Sequence, residues 1–217
     1  MERRAGVALL RRTLVAMAGA AMLAAAAGTL RAETLVTLDA ALARSFPGAR
    51  IERCVLALTP ADLKRVEQRA HARCEARLVT AYVAWRGDTL AGVAYTDRRV
   101  VRTREAVLLV SIAPDTRISR IDVLAFFEPP DYLPPARWLD RIAGHGDPAA
   151  LGAGRDIPPI AGATLTSQAV TESARLALAW HRLVLEQGLA KPHAPRAAPE
   201  AEEPRGGHAP EKAPGSR

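Results

Sequence analysis

The sequence predicts an α+β domain, an antiparallel sheet flanked by helices. Two observations carry that expectation. Short runs rich in β-branched and aromatic residues follow one another between 78 and 127, and turns join them. Strands joined in this way pair antiparallel, and helical patterns stand before and after them.

In order, Thr37 to Leu42 reads as a capped helix that ends before Pro47-Gly48, and Ile51–Leu58 alternates as a strand. Thr59-Pro60-Ala61-Asp62 is a helix start: a hydroxyl N-cap, proline at the first helical position, then an acid near the positive end of the dipole. That helix is expected to run to about Cys74. Strands follow over Leu78–Trp85, Thr89–Thr96, Ala106–Ile112 and Ile118–Phe127, with Arg86-Gly87-Asp88 and Ala113-Pro114-Asp115 as hairpin turns. Pro134–Ala143 reads as a short helix with Trp138, Leu139 and Ile142 on one side, and Gly144–Gly154 as a glycine-rich loop. The last element is a helix from about Thr166 to Gly188. Its stripe of Val170, Ala174, Ala177, Leu178 and Leu185, extended by Trp180 and Leu183, serves core packing.

The chain has 217 residues, room for one domain with a tail at each end. At 49% hydrophobic and 24% charged it is too apolar for a disordered chain, and with 4% aromatics its core must be built from Ala, Val, Leu and Ile. Of the net charge of +7, more than half lies in residues 1–32, where five arginines face Glu2 alone. The remainder mixes both signs, which argues against a nucleic-acid partner. Only Lys64, Lys191 and Lys212 are lysines, an arginine bias that reflects genome composition before it reflects phosphate recognition. Two cysteines exclude a disulfide-dense scaffold or an all-cysteine cluster. Cys54 and Cys74 are expected to form a structural disulfide closing a loop of about 20 residues, worth roughly 2–4 kcal/mol.

Residues 1–32 read as an export signal. A basic stretch, Met1–Arg12, precedes the uncharged run Thr13–Gly28, and small residues near Ala25–Ala27 or Ala32 offer cleavage sites. Arg11-Arg12 fits the twin-arginine route as well as the general secretory one. A retained N-terminal membrane anchor is the other reading, and either puts the body outside the cytoplasm, in the periplasm. Residues 191–217 carry six prolines among Ala, Glu and Gly with no apolar periodicity, which predicts a disordered tail. The domain is therefore expected over 33–190.

The sequence has no Gly-Lys-Ser/Thr phosphate loop, zinc-protease histidine pair, Gly-x-Ser-x-Gly elbow or Cys-x-x-Cys. His71, His145 and His181 are scattered without partners at ligand spacing, so no catalytic group and no metal site is expected. Ile157 to Val170 stands apart. Pro158-Pro159 makes a rigid entry, Gly162 and Ala163 allow a ligand close to the backbone, and Thr164, Thr166 and Ser167 supply hydroxyls at a helix N-terminus. Free amides and the helix dipole there favour an anion, phosphate above all, and ordinary capping by Thr164 or Thr166 is the equal alternative.

Gly162-Ala163-Thr164-Leu165-Thr166-Ser167 resembles the flavinylation motif of the FMN-binding domain family, whose members serve the Rnf electron-transport complex and the sodium-translocating NADH:quinone reductase. The family motif reads roughly Asp-x-x-Ser/Thr-Gly-Ala-Thr-x-Thr/Ser-Ser. Its Gly-Ala-Thr threonine is joined through the hydroxyl to the phosphate of FMN by a flavin transferase that uses FAD and magnesium. The resemblance implies that this residue is Thr164, as phosphothreonyl-FMN, with Gly162, Ala163, Leu165, Thr166 and Ser167 around it. Gly87 to Leu124 is similar to the family's strand meander, and Glu128-Pro129-Pro130-Asp131-Tyr132 to its Glu-Thr-Pro-Gly loop, so the likeness spans about Val79 to Val184. Pro158 and Ala161 stand where the family has its acid and its Ser/Thr, with Asp156 two positions early.

The resemblance implies electron relay with a membrane or periplasmic redox partner. The protein's part is to orient the ring and tune its potential. Candidate ring neighbours are Trp138, Phe127, Tyr132 and Leu133, and Glu128 either hydrogen-bonds the flavin or faces solvent. Two alternatives stand beside the carrier: a cofactor-free extracytoplasmic binding domain that retains the fold, and a flavin-dependent reductase acting on a small acceptor.

Overall fold

The computed structural model describes residues 33–152 and 157–191. The expected leader, the tail beyond Lys191, and Asp156 lie outside the described residues. In chain order the elements are β1 (Glu33–Thr34), α1 (Leu38–Ser45), β2 (Arg50–Ala57), α2 (Pro60–Ala70), β3 (Leu78–Arg86), β4 (Thr89–Val100), β5 (Glu105–Ile112), β6 (Ile118–Phe126), α3 (Ala136–Leu139) and α4 (Thr164–Glu186). Single 3-10 turns lie at Pro130–Tyr132 and Pro148–Ala150. The six strands form one sheet in the order β1-β6-β5-β4-β3-β2, and every pair is antiparallel. The protein is an α+β fold.

Local chemistry explains the boundaries. α2 starts with a reciprocal capping box: Thr59 Oγ1 accepts the Asp62 amide at 3.1 Å, and Asp62 Oδ2 accepts the Thr59 amide at 3.1 Å. It stops at Ala70 and not near Cys74, because His71 takes a left-handed conformation, φ 47°, and closes it. Gly87, at φ +57°, makes the two-residue turn between β3 and β4. β4 runs on from the expected Thr96 to Val100. Asp97 and the arginines beside it break the apolar pattern, yet Asp97 turns inward, where Ser173 Oγ donates to it at 2.5 Å and Arg99 Nε at 3.0 Å. The expected helix over Pro134–Ala143 shortens to Ala136–Leu139, whose N-cap Pro135 has no capping side chain.

The sheet buries both faces. Val79, Val83, Tyr95, Leu108 and Val110 meet Val66 of α2 and Ala177, Trp180 and Leu183 of α4. On the other face Ala41, Leu42 and Phe46 cover Ala84, Ala94, Leu109 and Leu124. Phe46 sits so close to the sheet that a Cβ on Gly92 would lie 2.5 Å from its ring and 2.5 Å from the Ile112 carbonyl. Leu185, expected in the buried stripe of α4, is instead on its exposed side. No helix of the described residues is long and apolar enough to cross a membrane.

One further feature departs from expectation. Cys54 and Cys74 are free thiols, not a disulfide. Cys54 pairs with Ala81 across the β2–β3 ladder, and the Cys74 thiol donates to the Ala76 carbonyl at 3.7 Å, while burial raises both thiol pKa values. The sheet also forks. The β2–β3 ladder extends to Ala57↔Leu78 and the β4–β5 ladder to Val100↔Glu105, whereas β3 and β4 pair only from Ala81↔Tyr95 onward. The fork opens a cavity of about 620 Å³ floored by Leu176 and Trp180.

Candidate functional site

α4 begins at Thr164, two positions before the expected Thr166, so the threonine belongs to the first turn of the helix. Its N-cap is Ala163, no side chain caps this end, and the first helical bond is from the Ser167 amide to the Ala163 carbonyl at 3.1 Å. First-turn amides left in this way suit an anion. Gly162, at φ +78° with open space where a Cβ would stand, swings the chain into the helix.

The three hydroxyls of the segment have different fates. Ser167 is buried, accepting the Ile160 amide at 2.8 Å and donating to the Ala163 carbonyl at 3.1 Å, which closes the loop ahead of the helix. Thr166 is buried and donates to the Tyr132 carbonyl at 2.9 Å, tying α4 to the 3-10 turn. Thr164 alone of the three is exposed, beside exposed Leu165. The expected capping role of Thr164 or Thr166 is therefore absent: neither side chain caps α4.

The loop between β4 and β5 forms the facing wall. Glu128 Oε1 accepts the backbone amides of Arg102 at 3.1 Å, Thr103 at 2.6 Å and Arg104 at 2.8 Å. Burial of this carboxyl favours its neutral form, but the amides of Thr103, Arg104 and Arg102 outweigh it and hold the pKa below the usual glutamate range. Arg102, so placed, donates from Nη1 to the Tyr132 hydroxyl at 3.0 Å, with its guanidinium carbon 5.5 Å from the ring centroid. Val101, Arg102, Glu128, Tyr132 and the segment Gly162–Thr166 line one cavity of about 250 Å³.

The structure thus brings together Glu128 and the Gly162–Thr166 segment, which are far apart in the chain. Ser167 lies behind the wall as its support. Of the candidate ring neighbours, Tyr132 lines this cavity. Trp138 is buried and donates its indole N–H to the Pro158 carbonyl at 2.7 Å, lining an adjacent cleft, and Phe127 and Leu133 are half-buried outside the cavity. Glu128 is neither solvated nor fully available to a ligand, because Oε1 is committed to the loop. Arg102 escaped sequence reasoning: its only signal was an arginine in a turn, in a chain rich in arginine.

The histidines stay apart. His71 closes α2, His145 Nδ1 lies 3.1 Å from the Ile142 carbonyl, and His181 Nδ1 lies 3.0 Å from the buried Tyr95 hydroxyl. Among the described residues no three His, Cys, Asp or Glu side chains gather as a metal site. Comparison with family models, curated proteins and solved structures finds no match for the chain.

The residues suit a phosphate ester. An exposed hydroxyl stands on an uncapped helix turn, Arg102 lines the same cavity, and an open glycine precedes the helix. FMN has such an anionic end and an aromatic one, and Tyr132 offers an aromatic face to the latter.

Proposed function

We propose that this chain is an exported FMN-binding electron-transfer protein, with FMN attached through a phosphodiester to Thr164. The observation that carries the reading is the sorting of the hydroxyls: Thr166 and Ser167 are consumed inside, while Thr164 is exposed on the first turn of α4 in the cavity that Arg102 also lines. Attachment by a flavin transferase would make the Thr164 oxygen the bridging atom. The oxygen would displace AMP from FAD and give up its proton as the new O–P bond replaced the anhydride bond.

The chain's own groups then hold the flavin. The amides of the first turn and Arg102 would neutralise the phosphodiester. Tyr132, fixed through its carbonyl by Thr166, offers the ring a contact. The Glu128 staple keeps the Arg102 loop in place. When bound, FMN supplies the one- and two-electron chemistry that these side chains lack, serving a membrane or periplasmic redox partner.

Co-expression with a flavin transferase tests this directly. The wild type is expected to be yellow and to retain in-gel fluorescence after denaturation, and Thr164→Ala to lose it. A colourless protein in both cases would favour the cofactor-free binding domain, for which the proline at 158 and alanine at 161 speak.

A further inference from the structure

We propose that Trp180, Tyr95 and His181 form a redox-active cluster, which takes one oxidising equivalent from a small one-electron oxidant reaching the fork cavity and holds it as a neutral Tyr95 radical. The inference is independent of the reading of Thr164.

Tyr95 and His181 are polar side chains sealed in an interior of Val, Leu and Ala. The Tyr95 hydroxyl lies 3.0 Å from His181 Nδ1, its one hydrogen-bond partner among the described residues. The phenol therefore donates and Nδ1 accepts, because a protonated Nδ1 would leave the phenol hydrogen without an acceptor. Burial, with Arg182 adding to it, lowers the His181 pKa to about 4, so the ring is neutral and its lone pair is open to a proton. Tyr132 has the opposite setting, since its hydroxyl accepts from a cationic donor, Arg102.

Trp180 supplies the way in. Its side chain floors the 620 Å³ cavity of the fork, which neither Tyr95 nor His181 lines. The Trp180 and Tyr95 ring centroids are 6.3 Å apart, and those of Tyr95 and His181 are 6.0 Å apart. Three neighbouring rings thus lead from the cavity into the core. The buried Trp180 indole N–H faces only the Cys74 thiol, a weak acceptor, so an electron hole on the indole finds no base for its proton. On Tyr95 it does. A phenol that loses an electron becomes a strong acid, and even a weakly basic imidazole accepts its proton. Trp180 gives one electron to the oxidant and regains one from Tyr95, as the hydroxyl proton crosses to His181 Nδ1. The oxidant is reduced by one electron, Tyr95 is left as a phenoxyl and His181 as an imidazolium. One returning electron draws the proton back and restores the resting cluster.

The test is flash photolysis of the purified full chain with a ruthenium tris(bipyridine) sensitiser and a cobalt ammine as sacrificial acceptor, followed by time-resolved absorption and electron paramagnetic resonance. The wild type is expected to give a phenoxyl signal that forms more slowly in D2O than in H2O. Tyr95→Phe is expected to lose that signal and Tyr82→Phe, on the other face of the sheet, to keep it. His181→Gln is expected to slow its formation about a hundredfold, the usual worth of a positioned base. No phenoxyl in the wild type, or a signal undiminished in Tyr95→Phe, overturns the proposal. Equal rates in the two waters overturn the role of His181 and with it the cluster, and this measurement needs no variant to fold.

Discussion

The Thr103 amide lies 2.6 Å from Glu128 Oε1, and the amides of Arg102 and Arg104 converge on the same oxygen. One carboxylate therefore organises the loop that carries Arg102. Glu128→Ala would strand these donors and is expected to cost about 2–4 kcal/mol, since hydrogen bonds to a charged acceptor are worth more than neutral ones. Urea unfolding should show a lower midpoint at unchanged slope. Glu128→Gln, which keeps a neutral acceptor, should lose less. An unchanged midpoint in the alanine variant would refute the staple.

His181 is buried against Tyr95, and burial, with Arg182 adding to it, lowers its pKa from 6.5 to about 4. The unfolded chain then binds the proton that the folded chain refuses between those values. Stability from this group is fully present above about pH 6.5 and is lost as pH falls toward 4. Thermal unfolding across that window should show the loss, and His181→Gln should flatten the dependence.

Gly92 has φ +148° and no room for a methyl between Phe46 and the Ile112 carbonyl. Gly92→Ala is expected to destabilise by about 2–4 kcal/mol through strain and overpacking. Chemical denaturation measures it, and Phe46→Leu in the same chain should recover part of the loss by vacating the space above the strand.

Ser167 closes the loop from Ile160 to Ala163 with two hydrogen bonds. Ser167→Ala leaves the Ile160 amide unpartnered, at a cost of about 1–3 kcal/mol. It also loosens the turn that presents Thr164, so flavin attachment should slow by roughly ten- to a hundredfold without being abolished. Attachment at the wild-type rate would show that the hydroxyl's position does not depend on this support.

The local signals were legible where the chemistry is local. Thr59-Pro60-Ala61-Asp62 announces α2, and Gly87 its hairpin, because caps and turns are decided within a few residues. The strand meander follows from its β-branched runs. What depends on distant partners was not legible. Asp97 lay just beyond the expected strand end at Thr96, and its place inside is set by Ser173 and Arg99. Glu128 gave no hint of the three amides waiting 24 to 26 positions upstream. His71 ended α2 early by a left-handed backbone conformation, open to histidine but marked far less plainly in a sequence than by glycine. At the site, the segment around Thr164 was legible as a hydroxyl-rich helix entry. Which hydroxyl stays outside was decided by Tyr132 and Ile160, partners that only the tertiary fold supplies.

The fork between β3 and β4 has a dynamic consequence. From Ala81 toward Leu78 the inner edge of β3 has no β4 partner, so its ladder is held from one side only. Deuterium uptake should therefore run as a gradient along this strand, quick at the open end and slow toward Val83. Under load the sheet would unzip from this notch, peeling β2 and β3 away from the strands that carry the Arg102 loop.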